Sequence, residues 1–318
     1  MGVLTKVVSV CGIMMALSSC GTREDYATAT GKRLFPFQSV SMSRLVLTKV
    51  DPGKIKLKDA GAIRVYTYAI KVDSKYTARG YLFEGPKDER KKSGNAILFG
   101  HWLGGISGVD TSEWEFFSEA ASYAREGNVC VIPLGHHPWI ESSTGTAEDV
   151  PLVIGQVNDY RIGLDIAFSR FRKKPAKAMI IGHDYGAMFS ILTAAADSRI
   201  GAAVIMAPVS YFYYWNRILR SIPEGQVLDA YKEAMLPYEP ITLIKGLSVP
   251  VLFQYAESDQ FVSKSDALSL IDAAVASPKE ARWYKATHNL TRYPPITAER
   301  KKWVDSQFER WNATRNVE

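Results

Sequence analysis

The chain has 318 residues, 47% of them hydrophobic and 23% charged, with 23 Gly and 15 Pro. That size and balance suit one large α/β domain or two modest ones, and they exclude coiled-coil, collagen-like and disordered chains. The formal net charge of +6 is too small to indicate nucleic acid without a basic helix or an aromatic ladder on a basic face.

At the start of the chain, Lys6 precedes an apolar run over residues 7–17. The run is too short to span a bilayer and has the length of a signal-peptide core. It ends in Leu17-Ser18-Ser19-Cys20, which resembles the lipobox of bacterial lipoproteins. The resemblance implies that residues 1–19 are a signal peptide cut before Cys20, whose thiol carries diacylglycerol and whose new amine carries a further fatty acyl chain such as palmitate. Several chains on one residue give the stable anchoring that a single chain does not. Cys11 is then lost and Cys130 has no disulfide partner. Gly21, where Asp would resemble an inner-membrane retention signal, implies a cell-envelope protein on the outer membrane, facing the periplasm or the cell surface. The stretch 20–43 reads as lipidated Cys and polar tether, leaving 44–318 as the folded domain.

Residues 62–70 and 77–84 are rich in β-branched and aromatic residues and read as a hairpin, with Asp73-Ser74 in the connection. The charge run between Gly85 and Gly94 reads as a solvated loop. Beyond it, short apolar segments at 95–100, 128–132, 176–181, 201–207, 249–256 and 281–286 alternate with helical periodicity. One helix, capped by Asp110 or Ser112, runs to Arg125, and others cover 153–171, the residues after Asp184, 226–235, 264–275 and 297–312. The alternation predicts an α/β fold: a mostly parallel sheet covered by helices on both faces. The long connection at 208–248, which begins Pro208-Val209-Ser210-Tyr211-Phe212-Tyr213-Tyr214-Trp215, predicts a short cap over the carboxyl ends of the strands.

The segment Gly182-His183-Asp184-Tyr185-Gly186 is entered by an apolar strand and left by a helix. That is the context of a nucleophile elbow, in which small flanking residues permit close backbone approach. Here the chain resembles the α/β-hydrolase superfamily over roughly residues 60–312. Asp184 stands at the nucleophile position, and the elbow resembles the Gly-His-Asp-Trp-Gly turn of epoxide hydrolases and haloalkane dehalogenases, whose carboxylate attacks saturated carbon. Attack by a carboxylate on an ester carbonyl would instead give a high-energy anhydride. The following helix N-terminus is expected to hold the Asp184 pKa low.

The resemblance assigns Asp259, after strand 249–256, as the acid that orients a histidine, with Glu257 second in line, and His288 as the base. Nucleophile, acid and base then follow in the chain order of these hydrolases. Asp184 would form an alkyl ester, and His288 would activate the water that hydrolyses it. Oxyanion donors are expected from Tyr185 N–H and from the loop His101-Trp102-Leu103-Gly104-Gly105, either Trp102 or Leu103. This loop departs from the family's His-Gly-X-X pattern at Trp102, and His101 is expected to brace it. Tyr185 replaces the Trp that helps dehalogenases hold halide, so epoxide opening ranks ahead, with Tyr211, Tyr213 and Tyr214 as leaving-group or pocket candidates. His137 and Trp139 are further pocket candidates.

Adjacent His136 and His137 lack ligands at metal-binding spacing, and neither a Gly-X-Gly-X-X-Gly turn nor a phosphate loop occurs. The expectation is a hydrolase needing no cofactor or metal, acting on a small or medium hydrophobic substrate. The layout also resembles dienelactone-hydrolase-like proteins, which act on carbonyl substrates and supply the carboxylic-ester alternative. A non-catalytic cell-envelope binding or scaffold lipoprotein is the other.

Overall fold

The computed structural model describes residues 31–51, 55, 57, 63–86, 94–104, 114–220, 222 and 224–315. The expected signal peptide, Cys20, the expected tether up to residue 30, the charge run at 87–93, Gly105, and Asp110 and Ser112 lie outside the described residues.

Nine strands form one sheet: β1 Leu45–Val50, β2 Arg64–Lys71, β3 Thr77–Glu84, β4 Ala96–Gly100, β5 Val129–Pro133, β6 Ala178–His183, β7 Ile200–Met206, β8 Val251–Ala256 and β9 Lys279–Tyr284. Their order is β1-β2-β3-β5-β4-β6-β7-β8-β9. The first three pair antiparallel, β3 pairs antiparallel with β5, and every pairing from β5 to β9 is parallel. β2 and β3 form the expected hairpin, and the Asp73 carboxylate turns the chain by accepting the amides of Lys75 and Tyr76. β4 to β8 are buried along their whole lengths, as strands covered on both faces must be.

The helices are α1 Phe117–Arg125, α2 Asp149–Ser169, α3 Tyr185–Ala196, α4 Phe212–Arg220, α5 Gln226–Met235, α6 Pro240–Leu243, α7 Lys264–Ala273 and α8 Pro294–Arg315. α2 and α3 pack on each other against one face of the sheet. On the other face, α1 and α8 are joined by Tyr123 against Phe308 and by a bidentate pair between Arg300 and Glu119. Arg300 is fully buried, and a further hydrogen bond reaches Gln254 of β8. The insertion between β7 and β8 consists of α4, α5 and α6. It is held together by Glu239, whose carboxylate accepts the Phe212 and Tyr213 amides at the first turn of α4, and tied to the body where the Ser210 amide donates to Asp266 of α7. Burial raises the Glu239 pKa to about 8, against those two amides.

The expected tether is wrong from residue 31 onward. Phe35 is fully buried and edge-on to Tyr238, its carbonyl accepts from Arg161, and Val40 is buried too. A few apolar residues within a polar stretch suffice to dock the chain, because α2 offers Arg161 and Asn158 to carbonyls that would otherwise lose water. β1 then adds an edge strand with an alternating half-buried pattern.

Candidate active site

The sheet register sets the site. Gly100 at the end of β4 lies opposite Gly182 in β6, and His183 lies opposite Met206 in β7. Three chain segments therefore leave the carboxyl edge side by side. At the elbow Asp184 adopts φ 55° and ψ −122°, a conformation that costs a non-glycine residue about 1–3 kcal/mol and persists only where the surroundings enforce it. They do so through contact: a Cβ on Gly186 would lie 2.0 Å from the Gly100 carbonyl oxygen, and one on Gly182 would lie 2.4 Å from the Gly186 carbonyl oxygen. The glycines on either side of Asp184 let two backbones meet there.

The Asp184 carboxylate makes no N-cap hydrogen bond to the helix it precedes. Oδ2 accepts the Leu103 amide at 3.1 Å, and Oδ1 lies 3.9 Å from His288 Nε2. His288 Nδ1 donates to both Asp259 oxygens, at 3.0 Å and 2.9 Å. With the proton on Nδ1, the lone pair on Nε2 faces Asp184. Asp259 is itself fixed by the amides of Phe261 and Val262. Asp259, rather than the exposed Glu257, is thus the partner of His288, and the three expected side chains come together.

The electrostatics differ from expectation at Asp184. Burial raises its pKa, against the opposing pull of His288, His183 and the amides of Leu103 and Tyr185. The helix N-terminus does not hold it low, because desolvation of a carboxylate 6% exposed outweighs the donors. Asp259 behaves oppositely: burial alone would raise it, but the hydrogen bond from His288 and two amides hold it below the ordinary value.

The two oxyanion candidates in the β4 loop are now separated. Leu103 N–H meets the carboxylate, whereas Trp102 N–H donates to Glu115 at 2.9 Å and is unavailable. His101 braces this loop between the Trp102 and Leu134 carbonyls. Trp139 acts likewise, donating its indole N–H to the Trp102 carbonyl at 3.0 Å. His137 is buried against Phe189 with Nδ1 on the Glu141 carbonyl, and burial lowers its pKa. Neither residue is held as a pocket wall by these contacts.

The tyrosine candidates make no direct contact with the triad. Tyr213 packs on Tyr211 and carries Lys232 over its ring, and Tyr214 is 46% exposed. No hydrogen bond or ring contact among the described residues joins any of the three to Asp184 or His288. The helical period turns other members of the cluster inward: Phe212 and Trp215 meet the Tyr185 ring, and Asn216 accepts from the Tyr185 hydroxyl. Asn216 then donates to Tyr231, which donates to Asp149, tying elbow, insertion and α2 into one buried chain.

Sequence reading missed Glu115 and the role of His183. Glu115 Oε1 pairs with His183 Nδ1, and His183 Nε2 meets the His288 carbonyl at 2.9 Å. The available signal was a carboxylate inside the run Trp114-Glu115-Phe116-Phe117, since an acid among aromatics is buried only with partners.

No protein-family model and no curated protein matches the sequence. Solved structures do. The acetyl xylan esterase from Paenibacillus sp. R4 aligns with TM-score 0.63 over 90% of this chain and 92% of its own, at 13% identity. This is the α/β-hydrolase fold. The Pyrococcus furiosus esterase Pf2001 aligns at TM-score 0.56 over 86% of this chain and 99% of its own, with 13% identity. For the Pyrococcus horikoshii acylaminoacyl peptidase the values are 0.59, 82% of this chain, 43% of that one and 16% identity. At such identities the likeness is one of fold, and the chemistry rests on the site.

Proposed function

We propose that the protein is a hydrolase in which Asp184 attacks a saturated carbon of a small or medium hydrophobic substrate, with epoxide opening ahead of halide displacement. The observation that carries this reading is the Leu103 amide on Asp184 Oδ2. The oxyanion donor already serves the carboxylate itself, so a substrate carbonyl finds it occupied. An ester substrate would also have to pass through an anhydride, and neighbours whose names include esterases do not outweigh that chemistry.

In the first step Oδ1 bonds to carbon while the carbon–oxygen or carbon–halogen bond breaks, and the leaving group takes its electron pair. In the second, water gives a proton to His288 Nε2 and its oxygen adds to Cγ of Asp184. The charge that develops on Oδ2 meets the Leu103 donor already in place. Collapse releases the alcohol oxygen, which takes the proton back from His288; the second water proton leaves the Asp184 carboxyl for the alkoxide oxygen of the opened epoxide, or for solvent where halide has departed, and the carboxylate is regenerated. Asp259 keeps the histidine in the required tautomer throughout.

A specific feature supports halide displacement as the second reading. The Trp215 indole N–H is buried beside the Tyr185 ring with no hydrogen-bond partner among the described residues, and it would suit an anionic leaving group. Single turnover in heavy-oxygen water tests the scheme: heavy oxygen should enter the Asp184 carboxylate, and His288→Gln should trap the alkyl ester by mass. If neither occurs across epoxide and haloalkane panels, the Asp184 scheme fails, leaving the carboxylic-ester hydrolase and the binding or scaffold protein as the alternatives. Ester turnover that survives Asp184→Asn would indicate another nucleophile.

The lipobox supports anchoring through Cys20 in the cell envelope, at the outer membrane. Among the described residues no helix is long and apolar enough to cross a membrane. Labelling with a radioactive fatty acid, lost in Cys20→Ser, tests the anchor.

A further inference from the structure

We infer that Glu115 and His183 form a fixed, buried ion pair that positions the nucleophile, its oxyanion donor and its base without touching substrate. The inference rests on the reading of Asp184 as nucleophile. Its geometry has three arms converging on one carboxylate. Oε2 of Glu115 accepts the Trp102 amide at 2.9 Å, one residue before the Leu103 donor. Oε1 accepts from His183 Nδ1 in the elbow and from the Thr291 hydroxyl at 3.0 Å, three residues beyond His288. A fourth contact closes the circuit, from His183 Nε2 to the His288 carbonyl.

The chemistry of the acceptors decides the charge of His183. One ring nitrogen faces the His288 carbonyl, which can only accept, and the other faces Glu115, whose carboxylate is kept ionised by the Trp102 amide, the Thr291 hydroxyl and His183 itself. Both nitrogens must therefore carry hydrogen, which makes the ring an imidazolium. The side chains of the pair are 0% and 3% exposed, so water does not compete for either. Burial alone would lower the His183 pKa, but Glu115, Asp184 and the His288 carbonyl raise it. Burial would raise that of Glu115, but His183, the Trp102 amide and Thr291 lower it. Stacking holds the ring in place, with Trp102 11° from parallel at 6.1 Å and His288 at 5.0 Å. The resulting cation adjoins Asp184 and favours the ionised nucleophile that burial opposes. The Trp102 contact, meanwhile, fixes the peptide next to the oxyanion donor.

Two measurements test the pair. Nitrogen NMR of histidine-labelled protein at neutral pH should show His183 protonated on both ring nitrogens, and on only one in Glu115→Gln. A singly protonated His183 in the unsubstituted protein overturns the inference, whatever reaction the protein performs. In kinetics, Glu115→Gln should slow single-turnover hydrolysis of the Asp184 ester by about 10²-fold with KM changed less than about twofold, because no substrate contact is lost. A changed KM with unchanged kcat would assign Glu115 to substrate binding and also overturn it. If His288→Gln traps no ester, the reaction reading fails, and the NMR result still decides the pair.

Discussion

The elbow depends on two backbones approaching within a distance that only glycine permits, and Gly186→Ala measures that dependence. A methyl group at this position would lie 2.0 Å from the Gly100 carbonyl oxygen, 2.2 Å from its carbon and 2.6 Å from the His101 carbonyl oxygen. These are backbone atoms at the end of β4, so no side-chain rotation relieves the clash. β4 and β6 are locked in register, so the first turn of α3 must move away by roughly 1.4 Å to restore ordinary contact. The Leu103 to Asp184 hydrogen bond starts at 3.1 Å and is lost after a further stretch of about 0.4 Å. The structure therefore predicts two losses: about 1–3 kcal/mol of stability from overpacking, and about 10²–10³ in kcat from the missing donor. Urea unfolding and single-turnover ester hydrolysis read them separately. Gly155→Ala is the control: it lies in the second turn of α2, with nothing within 4 Å of an added Cβ. It should stabilise by up to about 1 kcal/mol with activity unchanged. A Gly186→Ala protein with unaltered stability and turnover would refute the close-approach argument.

Three further outcomes are expected. Because burial raises the Asp184 pKa, that group's contribution to stability is complete below its unfolded pKa and is lost as pH rises through the folded value. Asp184→Asn should therefore abolish ester formation yet melt higher than the unsubstituted protein near pH ~8, with the gain vanishing near pH ~3; a lower melting temperature at the higher pH would contradict the assignment. Arg300→Met strands Glu119 without its buried partner and should cost about 3–5 kcal/mol in urea unfolding, much of it recovered by adding Glu119→Leu. Phe35→Ala should cost about 3–5 kcal/mol, since this side chain is fully buried in the core; a loss too small to measure would mean that residues 31–40 do not belong to the domain.

Much of the architecture was legible because its signals are local. The apolar runs that end at Gly100, Pro133, His183 and Met206 are buried strands, and a run of that kind identifies itself without its neighbours. The elbow was legible for the same reason, since strand, Gly182, Asp184, Gly186 and helix are consecutive. So was the order of Asp184, Asp259 and His288, which the parallel connections bring to a common edge.

What the chain alone left open is what depends on the partners of a side chain. α4 carries four aromatic residues in succession, and only its docking against α3 turned Phe212 and Trp215 toward the elbow and Tyr214 toward water. Phe35 looked like part of a tether until Arg161, far along the chain, accounted for its carbonyl. The ionisation of Asp184 was misjudged from the adjacent helix terminus, because the cost of desolvation is set by everything packed around the carboxylate. Glu115 was invisible as a functional residue for the same cause: its partners His183, Trp102 and Thr291 come from three separate segments. Local sequence determines backbone shape, which is governed by sterics and periodicity over a few residues; the fate of a charge is governed by dielectric and contact, which exist only once the chain has closed around it.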